Sequence, residues 1–258
     1  MLTDSADPTR LLIEVKDLNP TLTALIRDYG HTLDTVLGWA HEYLVKPHPD
    51  LGRKGPVCPF TQGSLDRGLF YLAVYRGQPS GPDEVSQALM HYRDWFLELD
   101  SAETSRFRTV LVLFPDIVRP EARTLIETSQ QALKADYVRR GLMIGEFHDG
   151  PPDKPGLWND DFRPLYSPVP LLAIRKLVPT DFPFLSGDRN FVEAYLANFD
   201  QSDIPARLTA VVAAAAAEFG LPQAAERTES PLPGQTSKAH PPSTKTQSGA
   251  RSATEPWS

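Results

Sequence analysis

Residues 107–114 read FRTVLVLF, a largely apolar run that Pro115 ends. Such a run is a strand buried on both faces, which places it inside a sheet covered by helices. Toward the N-terminus, Asp83 is a natural N-cap for a helix through residue 99, with Val85, Leu89, Tyr92 and Phe96 on one face. Before it, LFYLAVYR (69–76) is aromatic and β-branched, as a strand requires. Toward the C-terminus, Pro120 opens a helix that runs to Arg140 and that Gly141 terminates. Residues 142–147 and 171–178 read as two more strands, Asp188 caps a helix through 199, and a last helix covers 205–219. Ahead of all these, 33–45 reads as a helix with Thr32 as N-cap; Leu33, Leu37, Ala40 and Leu44 share a face, and Pro47 stops it.

From residue 69 the order is therefore β-α-β-α-β-β-α. It predicts an α/β (or α+β) domain over 1–220, with a mixed sheet of about four strands flanked by helices and an antiparallel pair at the end. Residues 221–258 are rich in Pro, Ser and Thr and poor in apolar residues. They read as a disordered tail, unable to bury enough surface to offset the entropy of ordering.

The net charge of −7, with no basic run, argues against a nucleic-acid partner. No stretch approaches the ~20 apolar residues of a membrane helix, and the first residues lack a secretory h-region. The expected location is the cytoplasm and the expected partner a small molecule; the oligomeric state is left open. One cysteine excludes an internal disulfide and any multi-cysteine metal site. No G-x-G-x-x-G, Walker loop, H-E-x-x-H or G-x-S-x-G is present.

Two long loops hold the residues on which chemistry is expected, because long loops inside a domain are more often functional or disordered than idle. The first, 46–68, contains His48, Arg53 and Cys58; the second, 147–170, contains His148, Asp160 and Asp161. Cys58 admits three readings: a nucleophile with His48 or His148 as base, an axial ligand to haem iron, or a small buried hydrophobe. His48 could ligate metal through a neutral imidazole oriented by Asp50, or be a surface residue. Arg175, within the apolar strand LLAIRKLV, either meets a carboxylate, phosphate or propionate or simply points outward. Asp160 and Asp161 could hold a cationic substrate, and Asn-Asp-Asp is also strong turn chemistry.

The segments HPDLGRKGPVCPF (48–60), GLMIGEFHDG (141–150), GLWNDDFRPL (156–165) and SPVPLLAIRKLVPTDFPFL (167–185) resemble an uncharacterised bacterial domain family over about 45–200. A more distant likeness is to the YqcI/YcgG family, which includes haem-dependent N-hydroxylases of guanidine-bearing compounds. PVCPF followed by LFYLAVYR and TVLVLF carries it, while the spacing and most of the C-terminal half depart from it. That resemblance implies a haem-dependent oxidation of a small nitrogenous metabolite. His48 or Cys58 would bind iron, Arg53 or Arg175 would meet propionates, and Asp160 or Asp161 would hold the substrate. The alternatives are a non-enzymatic binding protein and a transferase or hydrolase with Cys58 as nucleophile.

Overall fold

A computed structural model describes residues 1–5, 7, 10–18, 24–51, 54–99, 105–150 and 165–222. Within them lies one six-stranded mixed sheet built from Leu2–Thr3 (β1), Leu11–Glu14 (β2), Phe70–Val74 (β3), Thr109–Leu113 (β4), Leu142–Phe147 (β5) and Leu171–Lys176 (β6). The order across it is β1-β2-β3-β4-β6-β5, so the expected α/β class holds with two strands more than the sequence predicts. β3 and β4 are parallel, and Pro82–Glu98 (α3) provides the crossover that parallel neighbours need. β6 inserts antiparallel between β4 and β5, which leaves β5 at one edge running in the direction of β4.

β3 and β4 are buried at every residue because helices cover both faces. On one face, Leu12, Tyr71, Ala73, Val110, Val112 and Ile174 pack beneath α3 and beneath the helical run formed by Arg119–Ala122 (α4), a π turn at Arg123–Glu127, and Thr128–Arg139 (α5). On the other, Phe70, Leu72, Leu111, Leu113 and Leu171 pack under Ala24–Trp39 (α1). A third cluster joins Met143 and Leu177 to Arg189–Asn198 (α6) and Ala206–Glu218 (α7). Burying side chains such as Phe70, Leu72 and Phe96 in these layers contributes about 1.5–3 kcal/mol apiece.

Several boundaries differ from expectation. α1 begins at Ala24, nine residues before Leu33, so Thr32 is a helix-interior residue and no cap. Leu33, Val36 and Ala40 are fully buried against the sheet, and that burial outweighs the roughly 1 kcal/mol penalty of Gly30 within the helix. The helix then widens into a π turn at Ala40–Leu44, where Val45 N–H donates to Ala40 O at 3.2 Å. Gly81 occupies the N-cap of α3, with Pro82 and Asp83 inside its first turn. Asp188 does cap α6, its carboxylate accepting from the amides of Asn190 and Phe191. No helix among the described residues is long and apolar enough to cross a membrane. The tail expected over 221–258 lies outside the described residues from 223 onward.

Candidate functional site: a hollow in the sheet face

Burial alternates along β5 and β6. Ile144, Glu146, Leu172 and Ile174 are buried on the α5 side, whereas Gly145, Phe147, Ala173 and Arg175 on the other side are only half-buried. The pairing register explains why. Thr109, Arg175 and Met143 lie in one row across three strands, and Leu111, Ala173 and Gly145 lie in the next. The second row has almost no side chain on two of its three strands. A sheet face packs densely only if large and small residues complement the layer above it, and here none of the described residues fills the gap.

The result is a cavity of about 400 Å³, within the range of small-molecule sites. Leu111, Ala173 and Gly145 form part of its floor. Trp39 and Leu44 close one side at the end of α1, with Cys58 and Thr61 beside them. Phe184, Phe191 and Lys134 of α5 line it as well. A Cβ on Gly145 would come within 3.3 Å of the Phe147 ring, so the floor tolerates little growth there.

Cys58 is placed by the first long loop. Pro47 bridges to Pro56, Val57 N–H donates to Lys46 O at 2.9 Å, and Cys58 N–H donates to Leu44 O at 2.8 Å. Thr61–Asp66 (α2) follows directly, and its first residue, Thr61, is buried at the cavity. The free thiol is half-buried among the residues under α1.

Arg175 reaches the same cavity, and its partner belongs to the chain itself. Nη1 and Nη2 donate to Asp181 Oδ2 and Oδ1 at 2.7 and 2.6 Å, and Nη1 also donates to Lys176 O at 2.9 Å. Asp181 is 3% exposed and accepts a further hydrogen bond from Val178 N–H at 2.9 Å. The guanidinium lies 5.3 Å from the centre of the Phe60 ring. Burial opposes its charge, but Asp181, and more weakly Cys58, outweigh that and move its pKa above the usual guanidinium value. Lys134 donates from Nζ to Phe184 O at 2.8 Å, with the ammonium 4.7 Å from the Phe191 ring centre.

The other expected site residues are not brought here. His148 follows β5 but points to the opposite face, where Nε2 lies 2.9 Å from Glu127 Oε1 and Gly150 N–H donates to Nδ1 at 3.0 Å. That acceptance at Nδ1 fixes the Nε2–H tautomer, so His148, 1% exposed, is a post of the α5 side and no base for Cys58. His48 packs edge-on against Tyr43 with ring centres 6.0 Å apart and is not a wall of the cavity. Arg53, Asp160 and Asp161 lie outside the described residues. No group of three or more potential metal ligands occurs among the described residues. For a haem, Cys58 and Met143 are the described wall residues with thiolate or thioether axial-ligand chemistry, and Arg175, the cation expected to meet a propionate, directs both terminal nitrogens to Asp181. It is the pairing of Arg175 with Asp181 that fits a propionate-bearing tetrapyrrole poorly.

Reading the sequence did not single out Gly145, Ala173, Thr61, Lys134 or Asp181. A glycine inside the apolar strand LMIGEF is the signal that could have found the floor, because strand glycines mark close approach of a ligand or backbone.

A family model described as a domain of unknown function (DUF6875) matches residues 33–210. The chain belongs to that family. Neither a curated protein nor a solved structure matches it. The DUF6875 span takes in every wall of the cavity, from Trp39 to Phe191. Within that span Cys58, Gly145, Arg175 and Asp181 fall in the segments by which the sequence resembles an uncharacterised bacterial domain.

Proposed function

We propose that this DUF6875 domain binds a small, largely apolar molecule in the hollow over Leu111, Ala173 and Gly145. The observation that carries the reading is the in-register row of small residues on β5 and β6, which leaves about 400 Å³ open in an otherwise filled layer. Phe184, Phe191, Trp39 and Leu44 would sheathe an apolar body, while the Arg175–Asp181 fork, Thr61 and Lys134 supply fixed polar contacts that orient it. Binding is favoured over thiol catalysis because none of the described cavity walls is a histidine and both ring nitrogens of His148 are engaged by Glu127 and Gly150.

The test is a thermal-shift screen of metabolite-sized compounds on the full chain and on Ala173→Leu. A ligand present at 100 times its Kd stabilises by about 2.7 kcal/mol, or roughly 5–10 °C for a domain of this size. Hits that raise the melting temperature of wild type and lose the effect in Ala173→Leu support the proposal. Hits that are indifferent to the substitution refute it. The oxidative reading keeps one support, the thiol of Cys58 on the wall, and haemin titration decides it. A Soret band that Cys58→Ala abolishes would reinstate haem, and a featureless spectrum would end that reading.

A further inference from the structure

A second recess opens against Trp39. Its walls are Trp39, Tyr43, Tyr166 and Pro168, with Thr35 and Glu42 completing it, and it holds about 300 Å³. The Trp39 and Tyr43 rings are 6.1 Å apart between centres and 23° from parallel, forming one aromatic wall. Tyr166, 47% exposed, adds a third ring. The wall exists because the helix widens into the π turn at Ala40–Leu44, which carries both Glu42 and Tyr43. Single π turns inside helices concentrate at functional sites.

The charge of the recess is one-sided. Among the described residues, Glu42 is exposed, is the single charged wall residue and has no ion-pair partner, and none of the walls is a lysine or arginine. Aromatic faces are the negative side of the ring quadrupole, so three rings and a carboxylate attract a cation and offer an anion nothing. Recesses walled by several aromatic faces are the characteristic setting for quaternary and methylated ammonium ions, whose charge is spread over a rounded, weakly hydrated surface.

We infer that this recess is a binding site for an organic ammonium ion of the methylated type, held against Trp39, Tyr43 and Tyr166 with Glu42 balancing its charge. The inference does not rest on the sheet-face hollow, although Trp39 borders both.

The test is a titration of the full chain with choline and with its neutral isostere 3,3-dimethylbutan-1-ol, followed by two-dimensional amide and indole NMR. Choline is expected to give saturable shifts at Trp39, Tyr43 and Tyr166 and to bind about 10-fold more tightly than the isostere. Glu42→Gln, at an exposed position, is expected to weaken choline about 3- to 5-fold, Tyr166→Leu to weaken it further, and Ala173→Leu to leave it unchanged. Equal binding of the isostere, or choline binding indifferent to both Glu42→Gln and Tyr166→Leu, would overturn the inference.

Discussion

Replacing Asp181 by Leu tests how the polar end of the cavity is held. Asp181 is 3% exposed and accepts three hydrogen bonds, two from Arg175 at 2.7 and 2.6 Å and one from Val178 N–H at 2.9 Å. Removing it strands a guanidinium that is 22% exposed on its side chain. Breaking one partner of a buried pair costs about 3–5 kcal/mol; the residual access of Arg175 to water brings the expected loss to about 3 kcal/mol. For a domain of this size that is a drop in melting temperature of roughly 6–12 °C. Arg175→Met alone leaves the carboxylate buried and should cost a similar amount. The double variant Arg175→Met/Asp181→Leu removes both charges and should recover most of the loss, because a buried ion pair replaced by apolar residues is often neutral. Urea unfolding of the four proteins gives the coupling energy directly. Losses below about 1 kcal/mol in both single variants, or losses that simply add in the double variant, would refute the reasoning.

Three further expectations follow from particular groups. Ser64 is fully buried and its hydroxyl has no hydrogen-bond partner among the described residues, so Ser64→Ala should stabilise by about 1 kcal/mol in urea titrations; a destabilised variant would show that the hydroxyl is satisfied. Glu84 accepts from the Ser80 hydroxyl at 2.6 Å, from Tyr75 Oη and from the Ser80 amide at 2.8 Å, and these bonds lower its pKa from 4.5 to about 2. A depressed carboxylate contributes fully above 4.5 and loses its contribution as pH falls through about 2. Ser80→Ala should therefore move the Glu84 titration, followed by carboxyl NMR, back toward 4.5, and an unmoved titration would contradict the assignment. His148→Gln should destabilise by about 1–2 kcal/mol through the disturbed Glu127 and Gly150 hydrogen bonds while leaving the alkylation rate of Cys58 unchanged. A changed rate would mean that His148 does serve the thiol.

The sheet interior was the most legible part of the sequence. LFYLAVYR and FRTVLVLF are largely apolar because β3 and β4 are covered on both faces. β1 and β2 escaped because they span two and four residues, too short for a period to register. The start of α1 was misplaced because Gly30 and Thr32 are local signs of a boundary, while the packing of Leu33 and Val36 that overrides them is tertiary. At the site, Cys58 and Arg175 were singled out by residue type and both do reach the cavity. His148 was misread because nothing in the sequence says which strand face a residue after β5 takes; the register decides that, and one step places it beside Glu127. Asp181 was missed because its bond to Arg175 depends on the 3₁₀ turn at Pro179–Phe184 that folds back on the end of β6.

The most direct test of the hollow as a ligand site is a methyl spectrum of the chain carrying ¹³C-labelled alanine. Ala173 lies on the cavity floor, beside Gly145 in the sheet register. Titration with the compounds that raise the melting temperature should move the Ala173 methyl resonance saturably, with the alanines of α7 unmoved. If those compounds bind and the Ala173 resonance stays in place, the ligand lies elsewhere and the hollow is only a packing defect.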